Sequence, residues 1–137
     1  MLILHVYERN LPLALANKGN FVAEMRIPDS VDSFSFGRNP GTKSFLPEIM
    51  ERKYYFIEEK QGEFQRTERG GYVYIDYSRL RKNEFHRAFV RVKIFFLGES
   101  ESPLAAKERF GLKSGDKIVF KSDDRKLELV FEIVRIA

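Results

Sequence analysis

The chain has 137 residues, 43% of them hydrophobic and 32% charged, with a formal net charge of +4 at pH 7. That length favours one domain over residues 1–137 and suffices to bury a core, and the composition is globular and soluble rather than disordered. The chain has no cysteine and two histidines, His5 and His86, which excludes a disulfide framework, a cysteine nucleophile and thiolate-rich zinc sites and leaves too few imidazoles for most histidine metal sites.

The positive bias is mild and its charges are interspersed, which suits a phosphorylated or acidic partner, nucleic acid, or simply a soluble surface. Charges of both signs without Cys or Trp give the chain a thermophile-like character. Met1 leads straight into Leu2–Glu8, without the basic start and long apolar stretch of a signal peptide. No apolar run approaches the roughly 20 residues of a membrane helix. The expected location is the cytoplasm.

Strand signals dominate. Leu2–Glu8 is apolar and rich in β-formers. Phe21–Ile27 alternates, which predicts Phe21, Ala23, Met25 and Ile27 on one face. Pro28-Asp29 breaks that run, and Phe34–Gly37 is the next short strand. Tyr54–Glu58 reads as another, followed by a Gln61-Gly62 turn and Phe64–Arg66. Gly70-Gly71 punctuates the chain before Tyr72–Tyr77. Phe89–Leu97 alternates, and Lys117–Phe120 with Leu127–Ile136 reads as a hairpin across Ser122–Asp124. One short helix at most is expected, near residues 103–110: Ser102 can cap it, Pro103 suits its first turn and Gly111 its stop. Many short strands with turn signals between them predict an all-β antiparallel sandwich or barrel.

The chain carries no Gly-x-Ser-x-Gly elbow, no Walker loop, no dinucleotide glycine fingerprint and no His-Glu-x-x-His. The acidic pairs Glu58-Glu59 and Asp123-Asp124 read as solvated or turn charges, because neighbours on a strand face opposite ways. His5 reads as a packed residue and His86 as a surface residue. No catalytic residue, cofactor or metal is expected, and the chain is read as not an enzyme.

The segment Asp32–Pro40 runs an alternating strand into Gly37, Arg38 and a turn. An arginine at the lip of a sheet offers a planar fork that grips phosphate or carboxylate with two parallel hydrogen bonds. A second basic segment, Met50–Ile57, carries Arg52 and Lys53. Together they suggest an anion-binding site. Arg38 bracing its own loop is the plain competitor.

These segments stand in an order that resembles the forkhead-associated (FHA) domain, a phosphothreonine-peptide-binding β-sandwich of the FHA/SMAD-like type. Leu2–Glu8, Phe21–Ile27 and Phe34–Arg38 follow its first three strands, the third ending in Gly-Arg. Glu51–Tyr54, entering Tyr55–Ile57, is similar to its Ser-Arg-x-His segment. Asp76–Ser78 through Asn83 is a loose counterpart of its Asp-x-x-Ser-x-Asn-Gly. Leu112–Ile118 matches its closing Gly-Asp and final hairpin. The resemblance implies a non-catalytic protein-interaction module whose anion site comprises Arg38, Lys43, Ser44, Glu51, Arg52 and Asn83, with a protein partner phosphorylated on threonine and no membrane.

Three positions depart from the family pattern. Glu51 replaces the phosphate-contacting serine, Tyr54 replaces a structural histidine, and Asn83-Glu84 replaces Asn-Gly. A carboxylate at Glu51 repels phosphate or fills its seat by pairing with Arg38 or Arg52. Two alternatives come from other classes. A nucleic-acid-binding β protein or transcription regulator is suggested by Phe110–Phe120, which resembles the hairpin of swapped-hairpin regulators, and would stack bases on Tyr72 and Tyr74 beside Arg91 and Lys93. The other is a structural or assembly protein that keeps the sandwich without its ligand.

Overall fold

The structure is a computed structural model that describes residues 1–10, 19–37, 54, 56–58, 60–77, 88–94, 98–104, 107–122, 124 and 126–136. Its strands are β1 (Leu2–Asn10), β2 (Asn20–Ile27), β3 (Ser33–Phe36), β4 (Gly62–Arg66) and β5 (Tyr72–Asp76), then β6 (Phe89–Ile94), β7 (Gly98–Pro103), β8 (Arg109–Gly111), β9 (Lys117–Lys121) and β10 (Leu127–Ile136). One sheet has the order β2-β1-β10-β9-β6-β7 and the other β3-β4-β5-β8. The pairings are antiparallel. No helix among the described residues is long and apolar enough to cross a membrane.

Period-2 alternation builds the core between the sheets. Leu2, Leu4 and Val6 of β1 face inward with Met25, Ile27, Leu129, Phe131 and Ile133, against Phe34, Phe36, Phe64, Tyr72 and Tyr74 of the smaller sheet. Phe36 is a hub of this layer: its ring lies 4.9 Å from Phe131, 5.5 Å from Phe120 and 6.0 Å from Phe64. Burying each such side chain contributes about 1.5–3 kcal/mol relative to exposure.

Charges tie the outer face of the larger sheet across five strands. Arg91 Nη2 on β6 lies 3.0 Å from Glu128 on β10 and 3.1 Å from Glu101 on β7. Arg9 on β1 approaches Glu128 at 3.4 Å, and Lys121 on β9 approaches Glu101 at 2.5 Å. Glu128 is only 2% exposed, so its carboxylate needs these cations to offset the cost of leaving water.

The structure corrects several expectations. Phe21 leaves the face of Met25 and Ile27: the register slips between Val6 and Tyr7, so Val22 is bulged and packs with Ala23 on the core. Phe21 is thereby turned outward, 56% exposed, with its ring edge-on to His5 at 5.4 Å and Tyr7 at 5.8 Å. A bulge transposes the alternation that the sequence pattern assumes. His5, between the inward Leu4 and Val6, sits on the outer face, its Nε2 2.9 Å from Glu24.

Tyr54–Glu58 is not a ladder strand among its described residues. The Ile57 N–H donates to the Tyr54 carbonyl at 2.9 Å, closing a tight turn. Glu58 is buried rather than solvated, at 2% exposure.

The span 103–110, where at most one short helix is expected, holds the end of β7 and the start of β8. Pro103 sits opposite Phe89 on an edge strand, where its missing N–H costs no ladder bond on the open side. The Leu104 N–H is taken by the Ala88 carbonyl at 2.9 Å. Ala105 and Ala106 lie outside the described residues.

β8 and β9 lie in different sheets, so Phe110–Phe120 is not a hairpin. Tyr72 and Tyr74 face the core at 2% and 0% exposure, and Arg91 is held by carboxylates. Neither tyrosine offers a ring to a nucleic-acid base. The hairpin across Ser122–Asp124 does form, with Leu129 opposite Phe120 and the Ser122 N–H on the Leu127 carbonyl.

Candidate functional site

Arg38, Lys43, Ser44, Glu51, Arg52 and Asn83 all lie outside the described residues. The structure describes the frame from which their two segments spring. Phe36, Gly62 and Asp76 stand in one row across β3, β4 and β5, at one end of the smaller sheet. The segment 37–61 leaves from Phe36 and returns at Gly62. The segment 77–88 leaves from Asp76. The mouths of both connections therefore share one edge, which alternation along the chain does not reveal.

Backbone bonds close that edge. The Gln61 N–H donates to the Phe36 carbonyl at 2.9 Å, and the Tyr77 N–H donates to the Gln61 carbonyl at 2.9 Å. Below them lies a buried polar cluster. Gln61 and Asp76 are both 0% exposed. Asp76 Oδ1 accepts from Gln61 Nε2 at 3.0 Å and from the Tyr74 hydroxyl at 2.9 Å. Asp76 Oδ2 accepts from the Ala88 N–H at 3.3 Å. Gln61 Oε1 accepts the Glu58 N–H at 2.9 Å. Buried polar groups persist where partners satisfy them, and here the partners include the last residues of both segments, Gln61 and Ala88. Burial, and then the carboxylate beside it, push the Tyr74 hydroxyl well above the usual tyrosine range.

A third connection reaches the same place. The Lys107 N–H donates to the Asp76 carbonyl at 2.9 Å, and Lys107 has φ 60°, left-handed backbone uncommon for a side chain other than Gly, Asn or Asp. Tyr54, two residues past Arg52, is 1% exposed and its hydroxyl donates to Glu8 at 3.1 Å. It anchors the segment 37–61 to β1, the structural place the family resemblance gave it.

The outer rim is tied as well. Lys60 Nζ lies 4.7 Å from the centre of the Tyr77 ring. The Tyr77 hydroxyl donates to Glu63 Oε2 at 2.8 Å, and Glu63 also accepts from Ser33 and, at 3.2 Å, from Gln65. Burial alone would raise the Glu63 carboxyl, but the bonds from Ser33, Tyr77 and Gln65 outweigh it and hold it below the usual range. Burial first, then Glu63, push Tyr77 up to about 12.

Sequence reasoning missed Gln61 and Tyr74. It took Gln61 only as part of a turn. The Tyr74-x-Asp76 spacing, which puts both side chains on one strand face, was a usable signal. No group of three or more His, Cys, Asp or Glu among the described residues can hold a metal ion.

No protein-family model matches the chain, and no curated protein matches it. Solved structures do. The two-sheet architecture is the forkhead-associated fold. The chain is similar to the N-terminal FHA domain of S. cerevisiae Rad53p in complex with a phosphothreonine peptide, with TM-score 0.54 and 16% identity over 96% of this chain and 93% of that one. It is also similar to an engineered FHA with a Myc-pTBD peptide, with TM-score 0.56 and 17% identity over 96% of this chain and 91% of the other. A solution structure of the FHA1 domain of yeast Rad53 matches with TM-score 0.54 and 16% identity, over 96% of this chain and 77% of that one. At these identities the likeness is one of fold.

Proposed function

We propose that this chain is a non-catalytic interaction module that binds a phosphothreonine-bearing segment of a protein partner at the loop end of the sandwich. The observation that carries the reading is that the roots of segments 37–61 and 77–88 meet at one end of a forkhead-associated fold, in the Gln61–Asp76 cluster. Two of the similar solved structures hold a phosphothreonine peptide and a Myc-pTBD peptide.

In this reading Arg38 and Arg52 grip the phosphate through their guanidinium forks. Lys43 and Ser44 add donors, and Asn83 holds the partner's backbone. Glu51 competes with the phosphate for the arginines, so the site is weaker than one with serine there. Mixed charge and the lack of cysteine support a cytoplasmic setting.

Titration with matched phosphothreonine, threonine and glutamate peptide libraries tests the proposal. Preference for phosphothreonine, lost in Arg38→Ala and strengthened in Glu51→Ser, is the expected result. Absence of peptide binding, or binding indifferent to Arg38, overturns it. A salt series with DNA and RNA separates it from nucleic-acid binding, which weakens steeply as salt rises.

A further inference from the structure

We infer that Asp76 is a positioning residue that couples the two anion-binding segments, so that the grip of one depends on the other through a single buried carboxylate. The inference rests on the phosphothreonine reading for its ligand but not for its geometry. One oxygen of Asp76 holds Gln61, the last residue before β4. The other holds the N–H of Ala88, the last residue before β6. Its backbone carbonyl holds Lys107, in the connection between β7 and β8. One residue thus fixes the roots of three connections at the same end of the sandwich.

The cluster is directional. Gln61 presents its amide nitrogen to Asp76 and its amide oxygen to the Glu58 N–H. Reversing the amide would set donor against donor at Glu58 and acceptor against acceptor at Asp76, so only one orientation satisfies both ends. Ala88 and Asp76 are both fully buried, leaving no room for water to replace a lost partner freely. Holding one phosphopeptide from two segments needs those segments at a set separation. Arg38 and Arg52 both belong to segment 37–61, Asn83 belongs to 77–88, and Asp76 joins the roots of the two.

Asp76→Asn replaces one acceptor oxygen by a donor and sets that donor against either the Gln61 nitrogen or the Ala88 N–H. The double variant Gln61→Glu with Asp76→Asn reverses the donor and acceptor of that one bond while leaving acceptors toward Glu58 and Ala88. Phosphothreonine-peptide affinity, measured where each variant is folded by circular dichroism, is expected to fall about tenfold or more in Asp76→Asn and to recover in the double variant. Recovery on reversing the bond assigns the loss to that one contact, and comparing only folded variants keeps unfolding out of the affinity.

The amide resonances of 77–88 give a readout without ligand. Gln61→Ala, which removes one partner and keeps Asp76, is expected to shift them, and it serves if Asp76→Asn does not fold. Unmoved resonances in 77–88 overturn the coupling, as does unchanged affinity in a folded Asp76→Asn. If the wild type binds no phosphopeptide while Gln61→Ala still moves those resonances, the coupling stands and the ligand reading falls.

Discussion

Gly62 lies directly under the Tyr74 hydroxyl: a Cβ built on Gly62 would sit 2.1 Å from the phenolic oxygen and 2.5 Å from the ring carbon that bears it. The two residues are on neighbouring strands, where Gly62 pairs with Asp76 and Tyr74 bonds the Asp76 carboxylate on its own strand. Glycine here is a matter of space and not of backbone conformation. Gly62→Ala should force Tyr74 off Asp76 and destabilise the domain by about 1–3 kcal/mol, the usual range for overpacking, as read by urea denaturation. Adding Tyr74→Phe should recover only a small part of that loss, because it removes the nearest clashing atom but leaves the ring carbons at 2.5 and 2.6 Å.

Phe36 joins the site to the core. It precedes Gly37-Arg38 and packs among Phe64, Tyr74, Phe120 and Phe131. Phe36→Ala should cost about 3–5 kcal/mol by the cavity it leaves. Phe36→Leu should cost less and keep the fold, which denaturant midpoints will rank.

Lys107 holds left-handed backbone at φ 60° and is exposed. A side chain pays about 1–2 kcal/mol there that glycine does not. Lys107→Gly should therefore stabilise the protein slightly, the gain trimmed by glycine's larger unfolded-state entropy. A fall in melting temperature would mean that the lysine side chain contributes more than its backbone costs.

Glu101 supplies a pH prediction. Burial raises its carboxyl, but the bonds from Lys121 and Arg91 outweigh burial and hold it below the usual 4.5. Its folded-state value is depressed, so its stabilisation is present above pH 4.5 and is lost as pH falls through the folded value. Glu101→Gln should be less stable than wild type near neutrality, with the gap closing under acid.

Tyr77 runs the other way. Its hydroxyl is raised from 10.0 to about 12, so its stabilisation is complete below pH 10 and is lost as pH rises toward 12. Tyrosinate absorbance should show this residue ionising late, and Glu63→Gln should bring it earlier.

Much of the fold was legible because sheets obey a two-residue period. Leu2, Leu4 and Val6 announce an inward face, and Leu129, Phe131 and Ile133 another. The pattern failed where something non-local intervened. The bulge at Val22 is set by pairing with β1 and turned Phe21 outward. Ser102 and Pro103 look like a helix start, yet they end β7 opposite Val90 and Phe89. Glu58 looked like a solvated charge until the Gln61 turn buried it.

By itself, the sequence determined an all-β sandwich and the segments that turn between its strands, and it supplied the arginines and asparagine of the proposed anion site. Alternation and turn chemistry are local, and a chain carries them without being folded. Only the tertiary structure decided that Phe36, Gly62 and Asp76 share one sheet edge, and that Asp76 binds both Gln61 and Ala88. Those contacts join residues 15 and 12 positions apart. They depend on strand register and on a buried carboxylate that must find donors once water is gone.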